Sequence, residues 1–271
     1  MFTGERLETS IDGRVAIEHL HRYAIAGQYV QNKAVLDIAC GEGYGTNLLS
    51  KNAKTIFGVD IDEGAIQRAK IKYRSENINF LVGSTSKIPL EENSVDVVVS
   101  FETIEHHDAH EEMMSEIKRV LKPTGIMVIS SPDKLYYSDK RNYSNEFHVK
   151  ELYKDEFAEL VKKYFQNVHL LSQTHINGTS LILNEEDQKE LALFSGNFKN
   201  IKLEEKAPMF LVAIASQETL IKPSISIFNG REINAATIAR EVDNVRKSIT
   251  FKVGNTVLYP FKIVKRLLSK K

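Results

Sequence analysis

The chain has 271 residues, of which 42% are hydrophobic and 27% are charged, and its formal net charge is zero. These totals suit one large α/β domain with an appendage, and a single cysteine excludes an internal disulfide framework and favours a reducing compartment. The charged, polar start (MFTGERLETS) is unlike a secretory signal, and no apolar run approaches the roughly 20 residues that span a bilayer.

The first 30 residues predict a helical arm. After it, short, β-branched and nearly continuous apolar runs alternate with helical patterns. Such runs are typical of strands buried on both faces, and the alternation predicts parallel strands with crossover helices. The predicted strands are 34–39, 55–60, 78–83, 95–101 and 125–132, and the predicted helices between them are 44–52, 63–74 and 109–122.

The pattern changes after the fifth predicted strand. Residues 133–149 form a polar, aromatic connection, and a connection of this length in a compact domain is usually functional or disordered. An amphipathic helix is predicted over 150–165. Residues 167–183 and 208–217 predict two strands of an antiparallel hairpin at the edge of the sheet.

These elements predict an α/β chain with a mostly parallel seven-stranded sheet, an antiparallel edge hairpin and helices on both faces. They divide the chain into three parts. The predicted parts are a helical arm over 1–30, a catalytic domain over 31–216 and a basic extension over 217–271.

A glycine-rich turn follows the first predicted strand, and glycine permits a positive φ and a close approach of a ligand to the backbone. Its glycines are Gly41, Gly43 and Gly45. The G-x-G-x-G spacing differs from the dinucleotide fingerprint. Asp37, just before the turn, would repel a pyrophosphate but suits a cationic ligand. Asp60, at the end of the second strand, is placed to accept hydrogen bonds from ribose hydroxyls. The structural alternative is a tight strand–helix turn with Asp62 capping the next helix.

Four segments carry a family resemblance: VLDIACGEGYG, GVDID, VDVVVSFETIEHH and LKPTGIMVISSP. They resemble the successive motifs of class I S-adenosylmethionine-dependent methyltransferases. They are most similar to the methyltransferase-domain group, which includes many sugar and small-molecule O-methyltransferases. The resemblance covers about residues 30–170, and the arm GERLETS…IEHLHRYAIA resembles that of glycan-associated members. It implies a Rossmann-like fold and S-adenosylmethionine as the cofactor.

The resemblance also implies which residues bind that cofactor. In the family the glycine loop packs on the methionine part of the cofactor, and the acid that ends the second strand binds the ribose. Ser84 stands where many members have an acid, so Ser84 or Thr85 is expected to accept from the adenine amino group. Arg22 is implied as the partner of the cofactor carboxylate, with a solvated helix arginine as the alternative. The implied cofactor-binding residues are Arg22, Asp37, Ala39, Gly41, Gly43, Asp60, Ile61, Ser84, Thr85, Phe101 and Glu102.

An alcohol acceptor must lose a proton, and histidine has a pKa suited to a base near neutral pH. His106 aligns with a recurrent Glu-His pair of the family. His148 lies in NEFHVKEL, which resembles a recurrent segment of sugar-modifying members. The predicted catalytic residues are His106, His148 and His107; helix capping or packing is the alternative for each.

No metal is predicted. Glu105, His106, His107 and His110 have the right chemistry for ligands, but ligands need a convergent face and adjacent histidines usually diverge.

Two further segments bear on the acceptor and on partners. The aromatic connection, with Tyr136, Tyr137, Tyr143 and Phe147, suits stacking on a sugar, or a loop anchored by its own aromatic cluster. Residues 246–271 contain eight basic side chains and no acid, so the preceding 245 residues have eight more acidic than basic side chains. An acidic body argues against nucleic-acid binding.

The alternating apolar and basic residues of 255–271 are typical of a helix on an anionic membrane, and they resemble tails of enzymes that build bacterial surface polysaccharides. Docking of this helix on the body or on a partner subunit is the alternative. A heptad-like run over 233–250 predicts a short dimer helix.

The sequence thus predicts a cytoplasmic methyltransferase, peripheral at the inner face of the cell membrane, that acts on a sugar, a glycan or a glycan-terminal phosphate in surface polysaccharide synthesis. Its predicted partners are that acceptor, an anionic membrane or glycan-assembly enzymes, and a second copy of the chain. The alternatives are methylation of a quinone or an amine and, from another class, a non-catalytic cofactor-binding scaffold.

Overall fold

The computed structural model describes the backbone of residues 13–268 and the side chains of these residues apart from 189–190 and 259–268. Residues 1–12, which hold the polar start of the predicted arm, and residues 269–271 lie outside the described part of the chain.

The strands are β1 (Ala34–Ile38), β2 (Thr55–Asp60), β3 (Ile78–Val82), β4 (Val95–Ser100), β5 (Leu121–Pro132), β6 (Asn167–Ile176), β7 (Thr179–Asn184), β8 (Phe194–Gly196), β9 (Ile201–Leu203), β10 (Phe210–Ser216) and β11 (Ser226–Asn229). Over the described residues, nine of them form one sheet in the order β11-β7-β6-β10-β5-β4-β1-β2-β3, and β8 and β9 pair separately. β1 to β5 are parallel to their neighbours within that group, and the remaining pairs of the large sheet are antiparallel.

The helices are α1 (Arg14–Gly27), α2 (Tyr44–Ser50), α3 (Glu63–Lys72), α4 (His110–Val120), α5 (Lys134–Tyr137), α6 (Lys154–Tyr164), α7 (Arg231–Lys247) and α8 (Ile249–Leu268). In the described residues, no helix has the length and apolar character that a bilayer crossing requires.

Apolar side chains of the strands alternate between two cores, one on each face of the sheet. One core joins α4 and α6, where Met113, Ile117 and Phe157 are fully buried. The other joins α1 and α2 through Tyr23 and Leu49. The predicted α/β fold with helices on both faces is therefore confirmed.

The predicted number of seven strands was wrong. Residues 167–183 were expected to form one strand, but Asn177 and Gly178, at φ 45° and 79°, divide them into the hairpin β6–β7. Asn-Gly is a strong signal for a two-residue hairpin turn, because both residues tolerate positive φ. β10 then lies between β5 and β6, and β11, from the region predicted as a separate extension, pairs with β7.

We predict that Gly178→Ala destabilises the protein by about 1–2 kcal/mol, because a Cβ would be strained at this positive φ and would also lie 2.1 Å from the Asn234 amide nitrogen. Urea unfolding measures the change. The matched control is Gly27→Ala at the end of α1, where a Cβ meets nothing within 4 Å. Equal stability of the two variants would contradict the strained turn.

Candidate active site

The glycine-rich turn lies where β1 ends and α2 begins, and its glycines leave room for two aromatic rings. A Cβ on Gly43 would lie 2.7 Å from the Phe80 ring, and one on Gly45 would lie 1.9 Å from the Tyr23 ring. The turn uses the left-handed backbone region at Ala39 (φ 61°), Gly41 (φ 53°) and Gly43 (φ 76°). The close approach at Gly43 and Gly45 is therefore made by the chain's own side chains.

Asp60 joins the end of β2 to this turn. Its carboxylate accepts hydrogen bonds from the backbone N–H of Gly41 at 2.8 Å and of Asp62 at 2.9 Å. Asp62 in turn caps α3 by accepting from the Ala65 N–H at 3.1 Å, the contact that the structural alternative for this turn expected. The acid that ends β2 thus fixes the position of the turn beside it.

Asp37 lies beneath the turn and is 1% exposed. Its carboxyl accepts from the Thr46 hydroxyl at 2.7 Å and from the Tyr23 hydroxyl at 3.3 Å. Burial raises the pKa of Asp37 to about 7; the two hydrogen bonds oppose the rise, and the nearby charge of Asp60 adds to it. The carboxyl group beneath the turn therefore has a pKa close to neutral pH.

Arg22 of α1 is fully buried, so the alternative of a solvated helix arginine was wrong. Its Nη1 donates to the Gln173 side-chain oxygen at 2.7 Å and lies 3.9 Å from a carboxylate oxygen of Glu102. The guanidinium carbon lies 4.8 Å from the centroid of the Phe210 ring. Nε and Nη2 have no hydrogen-bond partner, so a buried cation retains donors for an anionic ligand.

Glu102 and Phe101 follow β4. Glu102 has a φ of 52°, its carboxylate accepts from the Ser130 hydroxyl at 2.6 Å, and its own N–H donates to the same oxygen at 3.1 Å. The Phe101 ring meets the Tyr23 ring edge-on, with centroids 5.0 Å apart. Both predicted residues therefore lie at the same edge of the sheet as the glycine turn, beside Arg22 and Tyr23.

The residues predicted to contact the adenine differ in exposure and in the partners that they have within the protein. Ile61 is 71% exposed, an unusual state for a large apolar side chain directly after a buried strand. The Ser84 and Ser86 hydroxyls lie 3.2 Å apart, and the Thr85 hydroxyl lies 3.3 Å from Nε2 of His107. The adenine contact of Ser84 or Thr85 stays a prediction.

His106 and His148 come together, although 41 residues separate them in the chain. Their ring centroids lie 5.2 Å apart. His106 donates from Nδ1 to the Phe147 carbonyl at 3.0 Å, and His148 from Nδ1 to the Glu151 carboxylate at 2.6 Å. These bonds fix the tautomer in which Nε2 of each neutral ring carries the lone pair. At His148 that lone pair accepts from the Asn145 amide at 3.0 Å.

His107 points elsewhere. Its ring lies between Thr85 and His110, and the two histidine rings are 5.7 Å apart. Burial, followed by the charges of His110 and His106, lowers the pKa of His107. The expectation that adjacent histidines diverge is met here, and His107 is separated from the other two predicted catalytic residues.

The aromatic connection between β5 and α6 is largely anchored on itself. Tyr137 stacks on His148 at 5.2 Å and contacts Tyr143 and Phe210, both at 5.8 Å between centroids. Burial raises the pKa of Tyr137 to about 12. Tyr143 remains 44% exposed and offers the loop's outward aromatic surface.

Sequence reasoning missed the residues that hold the predicted ones in place. Glu151 could have been found from the sequence, because it lies only three positions after His148, with which it forms a hydrogen bond. Asn145, three positions before His148, is also close in the chain to its partner, whereas Ser130 and Gln173 lie 28 and 151 residues from theirs and gave no local signal. The missed residues are Tyr23, Thr46, Ser130, Asn145, Glu151 and Gln173.

Residues 36–129 match the family model described as "Methyltransferase domain". A protein of Mycolicibacterium smegmatis named as a probable S-adenosylmethionine-dependent methyltransferase is 37% identical over 129 residues, which are 47% of this chain and 49% of that protein. The phthiotriol/phenolphthiotriol dimycocerosates methyltransferase of Mycobacterium tuberculosis is 26% identical over 121 residues, 44% of this chain and 45% of that protein. The chain thus spans about half the length of these relatives.

Solved structures show the same fold. A methyltransferase of Thermotoga maritima, titled as a possible histamine N-methyltransferase, superposes with a TM-score of 0.54 at 17% identity over 75% of this chain and 91% of that one. An S-adenosylmethionine-dependent methyltransferase of Mesorhizobium loti gives 0.51 at 15% identity over 72% and 97%. Residues 36–129 are thus similar to a methyltransferase domain, and the names of these relatives indicate S-adenosylmethionine as the cofactor.

We predict that the contribution of Asp37 to the stability of the protein falls as the pH rises from about 4 to about 7. Asp37 has a raised pKa in the folded state, so its stabilising protonated form is fully present below its unfolded pKa and is lost as the pH approaches 7. The contribution falls by up to about 1.4 kcal/mol for each pH unit in this window.

Urea unfolding across this window, with the native chain and with Asp37→Asn, measures the slope. The variant should lose the part of the slope that Asp37 contributes, whereas Asp108→Asn, at an exposed position, should keep it. An unchanged slope in Asp37→Asn would show that Asp37 titrates normally.

Proposed function

We propose that the protein is an S-adenosylmethionine-dependent methyltransferase that methylates an oxygen of a sugar or glycan, or of a glycan-terminal phosphate, in surface polysaccharide synthesis. The observation that carries the proposal is that the Phe210 ring connects two sites at the carboxyl edge of the sheet, since it contacts Arg22 of one site and Tyr137 of the other. One is the glycine turn with Arg22, and the other is the pair of His106 and His148 under an aromatic loop.

The residues present fit the cofactor. S-adenosylmethionine supplies an electrophilic methyl group on a positively charged sulfur, together with a carboxylate, a ribose and an adenine. Two buried nitrogens of Arg22, Nε and Nη2, have N–H groups without partners, which suit the carboxylate. Ile61 offers exposed apolar surface for the adenine next to Asp60, which is proposed to hold the ribose.

The chain's own part in the reaction is to hold the acceptor and take its proton. We assign the proton to His106, because it follows β4 at the sheet edge that also carries Glu102, and its Nδ1–H bond to the Phe147 carbonyl fixes the orientation of its ring. In His148 the Glu151 carboxylate and the Asn145 amide engage both nitrogens, so its proposed role is to position His106 and the loop.

The aromatic loop supports a sugar or glycan acceptor through the exposed face of Tyr143, since sugars pack on aromatic rings. The name of the Mycobacterium tuberculosis relative contains an alcohol, phthiotriol, which supports an oxygen acceptor without favouring a sugar. Methylation of a non-sugar small molecule is therefore the second candidate.

The C-terminal helices are proposed to bring the enzyme to an anionic membrane surface or to a partner. No residue of α7 is buried, and the apolar residues Ile238, Val242, Val245 and Ile249 are exposed. The first three lie on α7 and follow the spacing of the predicted dimer helix over 233–250, but Ser248 is extended and separates α7 from Ile249, which begins α8. The basic residues of the predicted membrane helix from 259 onward lie outside the described side chains.

We predict that Arg22→Lys weakens binding of S-adenosylhomocysteine by about 10- to 100-fold, the loss expected when hydrogen bonds to a charged group are removed. Lysine keeps the charge but lacks the planar fork of donors. Calorimetry on the purified chain measures the affinity. Arg14→Lys, on the exposed side of the same helix, is the matched control and should bind normally. Normal binding by Arg22→Lys would exclude Arg22 from the cofactor site.

We predict that His106→Gln lowers kcat by about 100-fold or more, with cofactor affinity unchanged, because general-base catalysis contributes at least this factor. The measurement is release of S-adenosylhomocysteine with a panel of sugars, glycans and glycan phosphates, and with quinones and amines. His169→Gln is the control; His169 lies in β6, and its ring donates to the Leu220 carbonyl. Turnover with quinones or amines alone would reject the glycan acceptor, and no turnover despite tight cofactor binding would favour a scaffold.

A further inference from the structure

We propose that Glu105, His106 and His148 together bind a divalent transition-metal ion. Each residue offers one ligand atom, and these atoms all lie within 4.8 Å of one another. Two imidazoles and one carboxylate form a donor set typical of zinc, manganese or iron sites. An ion about 2.1 Å from each ligand atom requires the three atoms to move inward by only about 1 Å.

The partners of the two imidazoles are those of metal ligands. A metal-bound histidine almost always donates its second ring N–H to a backbone carbonyl or a carboxylate, which fixes the ring and makes it more basic. His106 donates to the Phe147 carbonyl and His148 to the Glu151 carboxylate. Both rings are therefore held in the tautomer whose Nε2 is able to bind an ion. At His148 the ion would displace the Asn145 amide.

Glu105 provides a second, independent observation. It is 1% exposed, and its Oε2 has no hydrogen-bond partner. Burial, followed by the neighbouring charge of Glu102, raises the pKa of its carboxyl group. A buried carboxyl oxygen without a partner is costly unless a cation or a donor reaches it, and a divalent ion between Glu105 and the two rings satisfies it.

These three ligands differ from the candidate ligands considered in the sequence, which included His107 and His110 in place of His148. His107 and His110 are adjacent in the chain to the other candidates, but their rings face each other and Thr85. The third ligand comes from the far end of the aromatic loop. The loop is tied to Glu105 by hydrogen bonds from the N–H groups of Val149 and Lys150 to the Glu105 carbonyl, at 2.8 and 3.0 Å.

Ion and proton compete for the same imidazole lone pairs. In the loaded protein His106 would be a ligand and could not accept the proton; an acceptor hydroxyl bound to the ion would have a lowered pKa and would lose its proton to water before methyl transfer. This consequence rests on the proposed function. The binding of the ion does not, because it requires neither cofactor nor acceptor.

The test is a titration of the full, chelator-treated chain with Zn²⁺ by calorimetry and with Co²⁺ by its visible absorption, which reports the coordinating groups. We expect one ion per chain. His106→Gln, His148→Gln and Glu105→Gln should each weaken binding by more than about 10-fold, and Glu151→Gln, which removes the outer partner of His148, by about 10- to 100-fold. His107→Gln is the matched control and should bind as the native chain does.

Melting temperatures of the ion-free variants identify any variant that fails to fold. Only the variants that fold are used to judge whether the three proposed ligands bind the ion. The proposal is overturned if the native chain binds no ion, or if folded variants of the three ligands bind as tightly as His107→Gln. Methyl transfer is measured separately with and without the ion. Ion binding without turnover would reject the proposed function and leave the site standing, and turnover without ion binding would do the reverse.

Discussion

The burial of one guanidinium group governs how the two halves of the sheet meet. Removing a charged side chain from water costs several kcal/mol unless partners replace the water, and Arg22 has no exposed surface. Its partners come from both halves: β6 supplies Gln173 and β10 supplies Phe210 from the antiparallel half, and Glu102 follows β4 of the parallel half. The Gln173 amide nitrogen also donates to the Glu18 carbonyl at 2.9 Å, so α1 is fixed to β6 by two hydrogen bonds. The strands beyond the parallel core are thus part of the proposed cofactor site.

The parallel part of the fold was predictable because each of its strands is a local apolar run, and the helices between them have their own periodicity. The antiparallel part was less so. Residues 167–183 read as one apolar stretch, and only the Asn177-Gly178 pair marks the turn within it. The insertion of β10 between β5 and β6 depends on pairing across more than 75 residues, which no local pattern contains.

The candidate site also has a part that the sequence predicts and a part that it does not. Residues at the ends of β1, β2 and β4 could be predicted as neighbours, because the carboxyl ends of parallel strands share one edge of a sheet. The residues that hydrogen-bond to the predicted site residues could not be predicted, since Gln173 lies 151 residues from Arg22 and Ser130 lies 28 residues from Glu102. The approach of His148 to His106 likewise depends on the path of the aromatic loop.

That loop and the turn after β4 are held together by hydrogen bonds. The carbonyl of Glu105 accepts from two consecutive N–H groups of the loop, and His106 donates to the carbonyl of Phe147. Tyr137 stacks on His148 at one side and contacts Phe210 at the other. The imidazoles therefore keep their separation only while the loop keeps its conformation. The side chain of Tyr143 takes no part in these hydrogen bonds, so a substitution there can change the proposed acceptor surface without breaking the bonds that hold the histidine pair.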